Sequence, residues 1–384
     1  MNATQLGMFE DMAVTTEQVA PDCPHGRLGR VPKRGQMIIS ASKRTDIPAF
    51  YLSWFMKRVE AGWVDVPNPH RPLRERLTKL ERAREKREKD GVVLSASEMV
   101  AIDESYRECL THVSLLPKDV LAIVWWSKNY GIYERFYQKF EQYENQYFHF
   151  TINPRRPGFH NELEKGVQPV EEAIRQVGFL AKLPGGPDMV AWRYDPLVFW
   201  RDVTTGELDT NWDPEFFSFM CQELTQRGVT KCFTSLADFP DPASPEISNQ
   251  SKKFVLRVRE FFPNTQLRYP SAQEVRDIVG EMHRIAAIHG MFVFPCTEMT
   301  MAAYGGSDGT VPGFSRAEGA CIDGRLFSKK QKLHTATDSG MAGREDCACS
   351  KHLDIGDYVS QECGYGCMYC YANPNHRAYT PARW

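Results

Sequence analysis

The feature that most restricts the fold of this chain is an alternation. Between residues 37 and 296, short apolar runs take turns with longer segments of helical period. The apolar runs are Met37–Ala41, Trp63–Val66, Val120–Trp126, Gln146–Thr151, Met189–Pro196, Val229–Ser235 and Met291–Phe294. Their length and their β-branched and aromatic content read as buried strands. The helical segments between them have legible ends. Ala49–Ala61 stops at Gly62, Glu171–Leu183 stops at Pro184-Gly185-Gly186, Asp213-Pro214 opens a helix, and Ser271-Ala-Gln-Glu274 is a capping box. Strand–helix repetition of this kind predicts parallel βα units. No strand-to-helix turn carries a G-x-G-x-x-G fingerprint, so a partial parallel βα (TIM-like) barrel is preferred to an open dinucleotide-binding sheet.

This expectation divides the chain. Residues 1–35 read as a flexible N-terminal extension, 36–300 as the partial barrel, and 301–384 as a cysteine-rich region that closes it. A helical insertion is expected at about 71–112. Residues 71–90 hold nine Lys/Arg against five Asp/Glu at helical spacing, which reads as a solvent-facing helix, with contact to a phosphate-rich partner as the alternative. Polar residues gather just after the strands: Ser42, Arg44 and Asp46, then Lys128 and Asn129, Asn153, Arg193 and Asp195, Asp238 and Glu298. In a βα barrel the C-terminal strand ends share one mouth, where active sites sit.

The eleven cysteines are mostly single, but the last three form a loop, Cys363-Gly-Tyr-Gly-Cys367-Met-Tyr-Cys370-Tyr-Ala-Asn373, at C-x3-C-x2-C spacing. Three thiolates on one short loop can hold three irons of a 4Fe–4S cluster and leave the fourth iron open to a small molecule. A zinc site completed by His376, or unliganded thiols, are the alternatives. Cys296, Cys321, Cys347 and Cys349 are enough for a second 4Fe–4S cluster or a zinc, against the reading of one strand residue and three loop thiols. Cys109, Cys221 and Cys232 sit on apolar faces and read as core. Metal spacing without a disulfide framework predicts a reducing, cytoplasmic setting. The formal net charge of −2 gives no general pull towards nucleic acid or an anionic membrane. No apolar run is long enough to span a membrane, and the first twenty residues, with Glu10, Asp11 and Glu17, lack the core of a secretory signal.

The cysteine loop, with Tyr369 before its third cysteine, resembles the cluster loop of the radical S-adenosylmethionine (radical SAM) enzymes. The resemblance implies a 4Fe–4S cluster whose open iron chelates SAM. It also implies a reductant such as flavodoxin or ferredoxin, and a 5′-deoxyadenosyl radical acting on a small molecule, peptide or nucleic acid. In those enzymes the loop follows the first strand, whereas here it comes last. A circular permutation is therefore expected, with Ile355–Val359 as a final strand beside Met37–Ala41. Most of residues 37–374 also resembles an uncharacterised family with a radical-SAM-like cysteine cluster at its C-terminus. The matching stretches are Ile39–Pro48, Trp192–Pro196, Cys321–Asp323, Asp354–Gly356 and Cys363–Asn373. No Gly-Gly-Glu segment stands at a strand end, a departure from the common radical SAM pattern.

Within that resemblance, Arg44 and Arg193 are candidates to grip the SAM carboxylate or an acidic substrate group, against ion pairs with Asp46 and Asp195. Asp46 and Asp195 are candidates for ribose hydroxyls, and Tyr369 and Tyr371 for packing on adenine, against ordinary loop packing. Lys128 and Glu298 are candidate proton donors or acceptors, against a solvated rim. Two competing readings are a zinc-stabilised binding module and an iron–sulfur electron carrier or sensor.

Overall fold

A computed structural model describes residues 36–68, 70–237, 249–296, 319–329, 348–358 and 360–370. Strand β1 (Met37–Ala41) leads through a π-helical turn, Ile47–Tyr51, into helix α1 (Leu52–Ala61). Gly62 ends α1 with φ of 78°, a left-handed conformation that lets its N–H reach the carbonyls of Arg58 and Val59. Strand β2 (Trp63–Pro67) precedes a helical hairpin of α2 (Arg71–Asp90) and α3 (Ala96–Cys109), and β3 (Leu110–Ser114) returns antiparallel to β2. The chain then alternates: β4 (Val120–Ser127), α4 (Gly131–Phe136), β5 (Gln146–Thr151), α5 (Phe159–Leu163), α6 (Val170–Leu180) and β6 (Val190–Leu197). Two short strands, β7 (Phe199–Asp202) and β8 (Leu208–Thr210), are followed by α7 (Pro214–Thr225) and β9 (Lys231–Leu236). Helix α8 (Asn249–Phe261), β10 (Thr265–Leu267), α9 (Ala272–His289), β11 (Phe292–Pro295) and β12 (His352–Asp354) complete the described elements.

The main sheet has seven parallel strands in the order β12-β1-β4-β5-β6-β9-β11, consistent with a partial TIM-like barrel. Its two faces are sorted by the two-residue period of the strands. Along β5, Phe148 and Phe150 join the helix-side core with Trp125, Tyr133 and Phe140, whose rings meet about 5 Å apart. Tyr147 faces the other way, into a cluster with Val124, Phe233, Cys321, Ile322 and Cys349. Helices therefore cover one face, and the segments around residues 321 and 349 fill the other.

Several expectations need adjustment. The helix expected to reach His112 ends at Cys109, and residues 110–114 pair with β2 instead. The alternating Leu-Thr-His-Val-Ser run suits a strand, and His112 Nδ1 lies 2.8 Å from Asp65 Oδ1 across the pair. The three-stranded antiparallel sheet β10-β7-β8 was not expected, because its strands are too short to show a period. The last strand is His352–Asp354, not Ile355–Val359. Ile355 N still donates to Ser40 O at 3.1 Å, but the chain turns at Gly356, where a Cβ would lie 2.0 Å from Ser42 Oγ. Val359 lies outside the described residues. Among the described residues no helix is long and apolar enough to cross a membrane.

The β12–β1 junction is held by one carboxylate. Asp354 accepts from Ser40 Oγ at 2.8 Å, from Lys43 N at 2.6 Å, from Gly356 N at 3.1 Å and from Ser42 Oγ. Replacing it by alanine leaves these donors unpaired in a dry place, at about 1–3 kcal/mol for each one that finds no water. Asp354→Ala is expected to destabilise the fold by about 2–4 kcal/mol. Amide exchange should rise in residues 38–45 and 352–370, and unchanged exchange there would show that the carboxylate is not the clasp.

Candidate active site at the C-terminal ends of the strands

The residues following β1, β4, β5 and β6 form one connected polar network. Asp46 caps the π-helical turn by accepting from Ala49 N at 2.9 Å, and also accepts from Ser127 Oγ at 2.8 Å and Lys128 N at 3.0 Å. It thus clamps the end of β4 to the β1 loop. Burial pushes its carboxyl up to about 7, although the three donors act in the opposite direction.

Lys128 Nζ donates to Glu164 Oε1 at 2.7 Å. Asn153 Nδ2 donates to the same oxygen at 2.6 Å, and so does the Tyr369 hydroxyl. Burial pulls the Lys128 ammonium down, but Glu164 and its other anionic neighbours outweigh that and raise it above its ordinary value. Asn153 also donates to Asp195 O at 2.9 Å and accepts from Asp195 N at 2.9 Å, which joins the lysine group to the next strand. There Arg193 Nη2 donates to Asp195 Oδ2 at 2.8 Å, and the other carboxylate oxygen accepts from Ser235 Oγ. The guanidinium also stands 3.5 Å from Cys321 Sγ and 5.2 Å from the Trp126 ring centre.

The cysteine loop lies across these strand ends. Met368 N donates to Leu163 O at 3.0 Å, and Arg257 Nη1 donates to Met368 O at 2.8 Å and Cys370 O at 2.7 Å. Tyr51 Oη donates to Glu362 O at 2.6 Å. Gly364 is seated so closely that a Cβ would come 2.7 Å from Phe50. A cleft of about 410 Å3 opens beside the loop, lined by Phe50, Asn129, Gln168, Gln176 and Tyr365 among others. Neither this cleft nor a larger one of about 920 Å3, by His160, Trp200 and Asp209, is lined by the network residues themselves, but the smaller one is joined to the network through Gln168, whose Nε2 donates to Lys128 O at 3.0 Å.

Of the candidates read from the sequence, Asp46, Lys128, Arg193, Asp195 and Tyr369 are brought into this one network. Arg44 stands aside, donating to Gly356 O at 3.3 Å and 3.9 Å from Asp354 rather than pairing with Asp46. Arg193 is paired with Asp195. Asp238, Glu298, Tyr371, Cys347 and His376 lie outside the described residues. Glu164, on which three donors converge, was not singled out in the sequence. It ends a five-residue helix too short to show periodicity, and nothing local marks it.

The metal and cofactor expectations are corrected. Among the described residues no group of three or more His, Cys, Asp or Glu is placed to hold a metal ion. Cys367 packs with Ala49 and Tyr365, and Cys363 and Cys370 lie against that apolar cluster. Burial pushes the Cys363 and Cys367 thiols well up. Cys296, Cys321 and Cys349 are buried in the inner core cluster, where the Cys321 thiol hydrogen-bonds with the other two. The 4Fe–4S cluster at Cys363, Cys367 and Cys370, the second cluster or zinc, and the zinc module are therefore not carried further. SAM, the radical SAM activity and the flavodoxin or ferredoxin reductant rested on that cluster and go with it.

One family, described as a domain of unknown function (DUF1848), matches residues 38–89 and 91–372. No curated protein and no solved structure matches the chain.

The position of Asp46 has a consequence for stability. Its folded value near 7 lies above its ordinary 3.8, so the folded protein binds a proton that the unfolded chain has released. Its contribution is fully present below about pH 4 and is lost as pH rises through 7. Asp46→Asn should flatten the fall in denaturant-measured stability between pH 5 and 8, whatever its effect on absolute stability. An unchanged slope would remove Asp46 as its source.

Proposed function

The chain belongs to the DUF1848 family, whose description assigns no activity, and from its own site we propose that it binds a small acidic molecule at the ends of β4, β5 and β6 and moves a proton there. The observation that carries this reading is the convergence of Lys128, Asn153 and Tyr369 on one oxygen of Glu164. Buried charge of this kind costs stability relative to an apolar core, so its presence at the strand ends favours a functional over a packing role. The adjoining cleft, of about 410 Å3, is in the range that small ligands occupy.

In this proposal a carboxylate or phosphate of the ligand takes Glu164's place on the Lys128 ammonium. Glu164 is then freed to accept a proton from the ligand, while Asn153 and Tyr369 hold it in place. The C–H or O–H pair of electrons stays on the ligand, beside the lysine charge that stabilises it. Asp46, Arg193 and Asp195 act as positioning residues: the first fixes the Lys128 backbone, and the ion pair fixes Asn153. Arg44, on the rim by Gly356, is proposed to help attract the acid.

We further propose that the sheet is a circularly permuted partial barrel. In support, six strands follow chain order across the sheet, and the last described strand lies parallel beside the first. On this reading residues 36–300 form the barrel, with the insertion at about 71–112, and 301–384 close its mouth.

The test is thermal melting against a panel of di- and tricarboxylates and phosphorylated metabolites. Lys128→Met alone strands the Glu164 carboxylate, so the double variant Lys128→Met/Glu164→Leu, which removes the pair together, is the informative one. At about 100 times its Kd, a specific ligand should raise the parent's Tm by about 3 °C and leave the double variant unmoved. A panel that moves neither protein, or both equally, would overturn the proposal.

A further inference from the structure

The helical hairpin carries a surface that the site at the strand ends does not use. Helix α2 is 20 residues long, and its charges are sorted around its axis. Leu77 and Leu80 face α3, packing with Tyr106, Cys109 and Ile102. Glu81, Glu85 and Glu88 are spaced four and three apart and share one flank. Lys79, Arg82, Lys86 and Lys89 are spaced three, four and three apart and share another, and all four are exposed.

The pairing follows the same division. Arg74 is paired with Asp357, Arg76 with Glu108, and Arg84 with Glu88 at 3.3 Å. None of the four stripe cations has an ion-pair partner among the described residues. Glu75 stands one turn before the stripe and Asp90 follows it, but no acid interrupts it on that side. The helix rises about 1.5 Å per residue, so the four charges span about 15 Å in a straight line.

We propose that this stripe is a docking surface for the phosphate backbone of a nucleic acid. A straight row of unpaired cations is complementary to a polyanion that carries about one charge per 1.7 Å of duplex axis. The formal net charge of −2 is no obstacle, since salt screens acids beyond about 10 Å, and the acids one turn away, Glu75 and Glu85, are outnumbered by the four cations of the stripe. No aromatic or amide side chain stands among the four, so the contact reads backbone and not sequence. A lipid surface fits less well. The hairpin tip exposes Val92, Val93, Met99 and Val100, but Asp90, Glu98 and Glu104 stand among them and repel anionic headgroups. The inference does not depend on the proton-transfer reading.

The experiment uses the full chain, with fluorescence anisotropy on labelled 20-mer duplex DNA and single-stranded RNA of unrelated sequences. With four phosphate contacts, log affinity should fall against log salt with a slope of about −3 to −4, roughly 100-fold between 50 and 200 mM. Affinity should be similar across sequences. The variant Lys79→Gln/Arg82→Gln/Lys86→Gln/Lys89→Gln keeps good helix formers and should bind about 100-fold more weakly at 50 mM salt, with circular dichroism unchanged. Glu81→Gln/Glu85→Gln/Glu88→Gln, on the other flank, should bind at least as well as the parent. The inference is overturned if the parent does not bind at 50 mM salt, or if the stripe variant binds as the parent does. It is equally overturned if the parent sediments with phosphatidylserine vesicles through the same four residues while ignoring nucleic acid.

Discussion

The cysteine loop comes to the strand ends from a junction clasped by the Asp354 carboxylate. The carboxylate stands where the last described strand meets the first, and it gathers two serine hydroxyls and two backbone N–H groups from β1, from the loop after it and from its own turn. Without it, β12 would be a three-residue strand at a sheet edge, too short to hold its place by main-chain bonds alone. With it, the chain is turned at Gly356 and residues 360–370 are delivered over the ends of β4 and β5. The close approach of Gly356 to Ser42 is the steric side of the same constraint.

From there the polar groups are joined by shared acceptors rather than by isolated pairs. Glu164 receives three donors, Asp46 receives three, and Asn153 spans the two halves. In such a network each group fixes the next, and the loss of one leaves several unsatisfied. The cysteine loop takes part through the Tyr369 hydroxyl and its backbone, while its sulfurs pack among Phe50, Val167, Tyr365 and Tyr369. The thiols that look like the chemistry of the loop are its apolar side, and the tyrosine between them makes the polar contact.

Much of the architecture was legible beforehand. The strands at 37, 120, 146, 190, 231 and 292 were marked by apolar runs, and the Ser271 and Asp213 caps by their spacing. These signals are local, so a sequence window suffices. The small sheet β10-β7-β8 was not, because its strands are only three or four residues long and β10 joins β7 from a distant segment. At the strand ends, Asp46, Lys128, Arg193 and Asp195 stand out in the sequence because polar residues following apolar runs are recognisable. The partners such residues choose do not: Arg44 turns to Gly356 and Asp354, and Lys128 to Glu164, from another strand connection.

What the sequence alone determined is the α/β class, the alternation of main-sheet strands with helices up to residue 296 and the polar character of the strand ends, since periodicity and composition act within a few residues. It also supplied a cysteine spacing compatible with metal, with zinc or with nothing. Only the tertiary structure decided that the last described strand lies beside the first, that Glu164 is the centre of the network, and that the described thiols of the C-terminal region lie in or against apolar clusters. Ligation and ion pairing depend on distances of a few ångströms between groups far apart in the chain, and on whether burial leaves them charged. Neither is encoded in spacing.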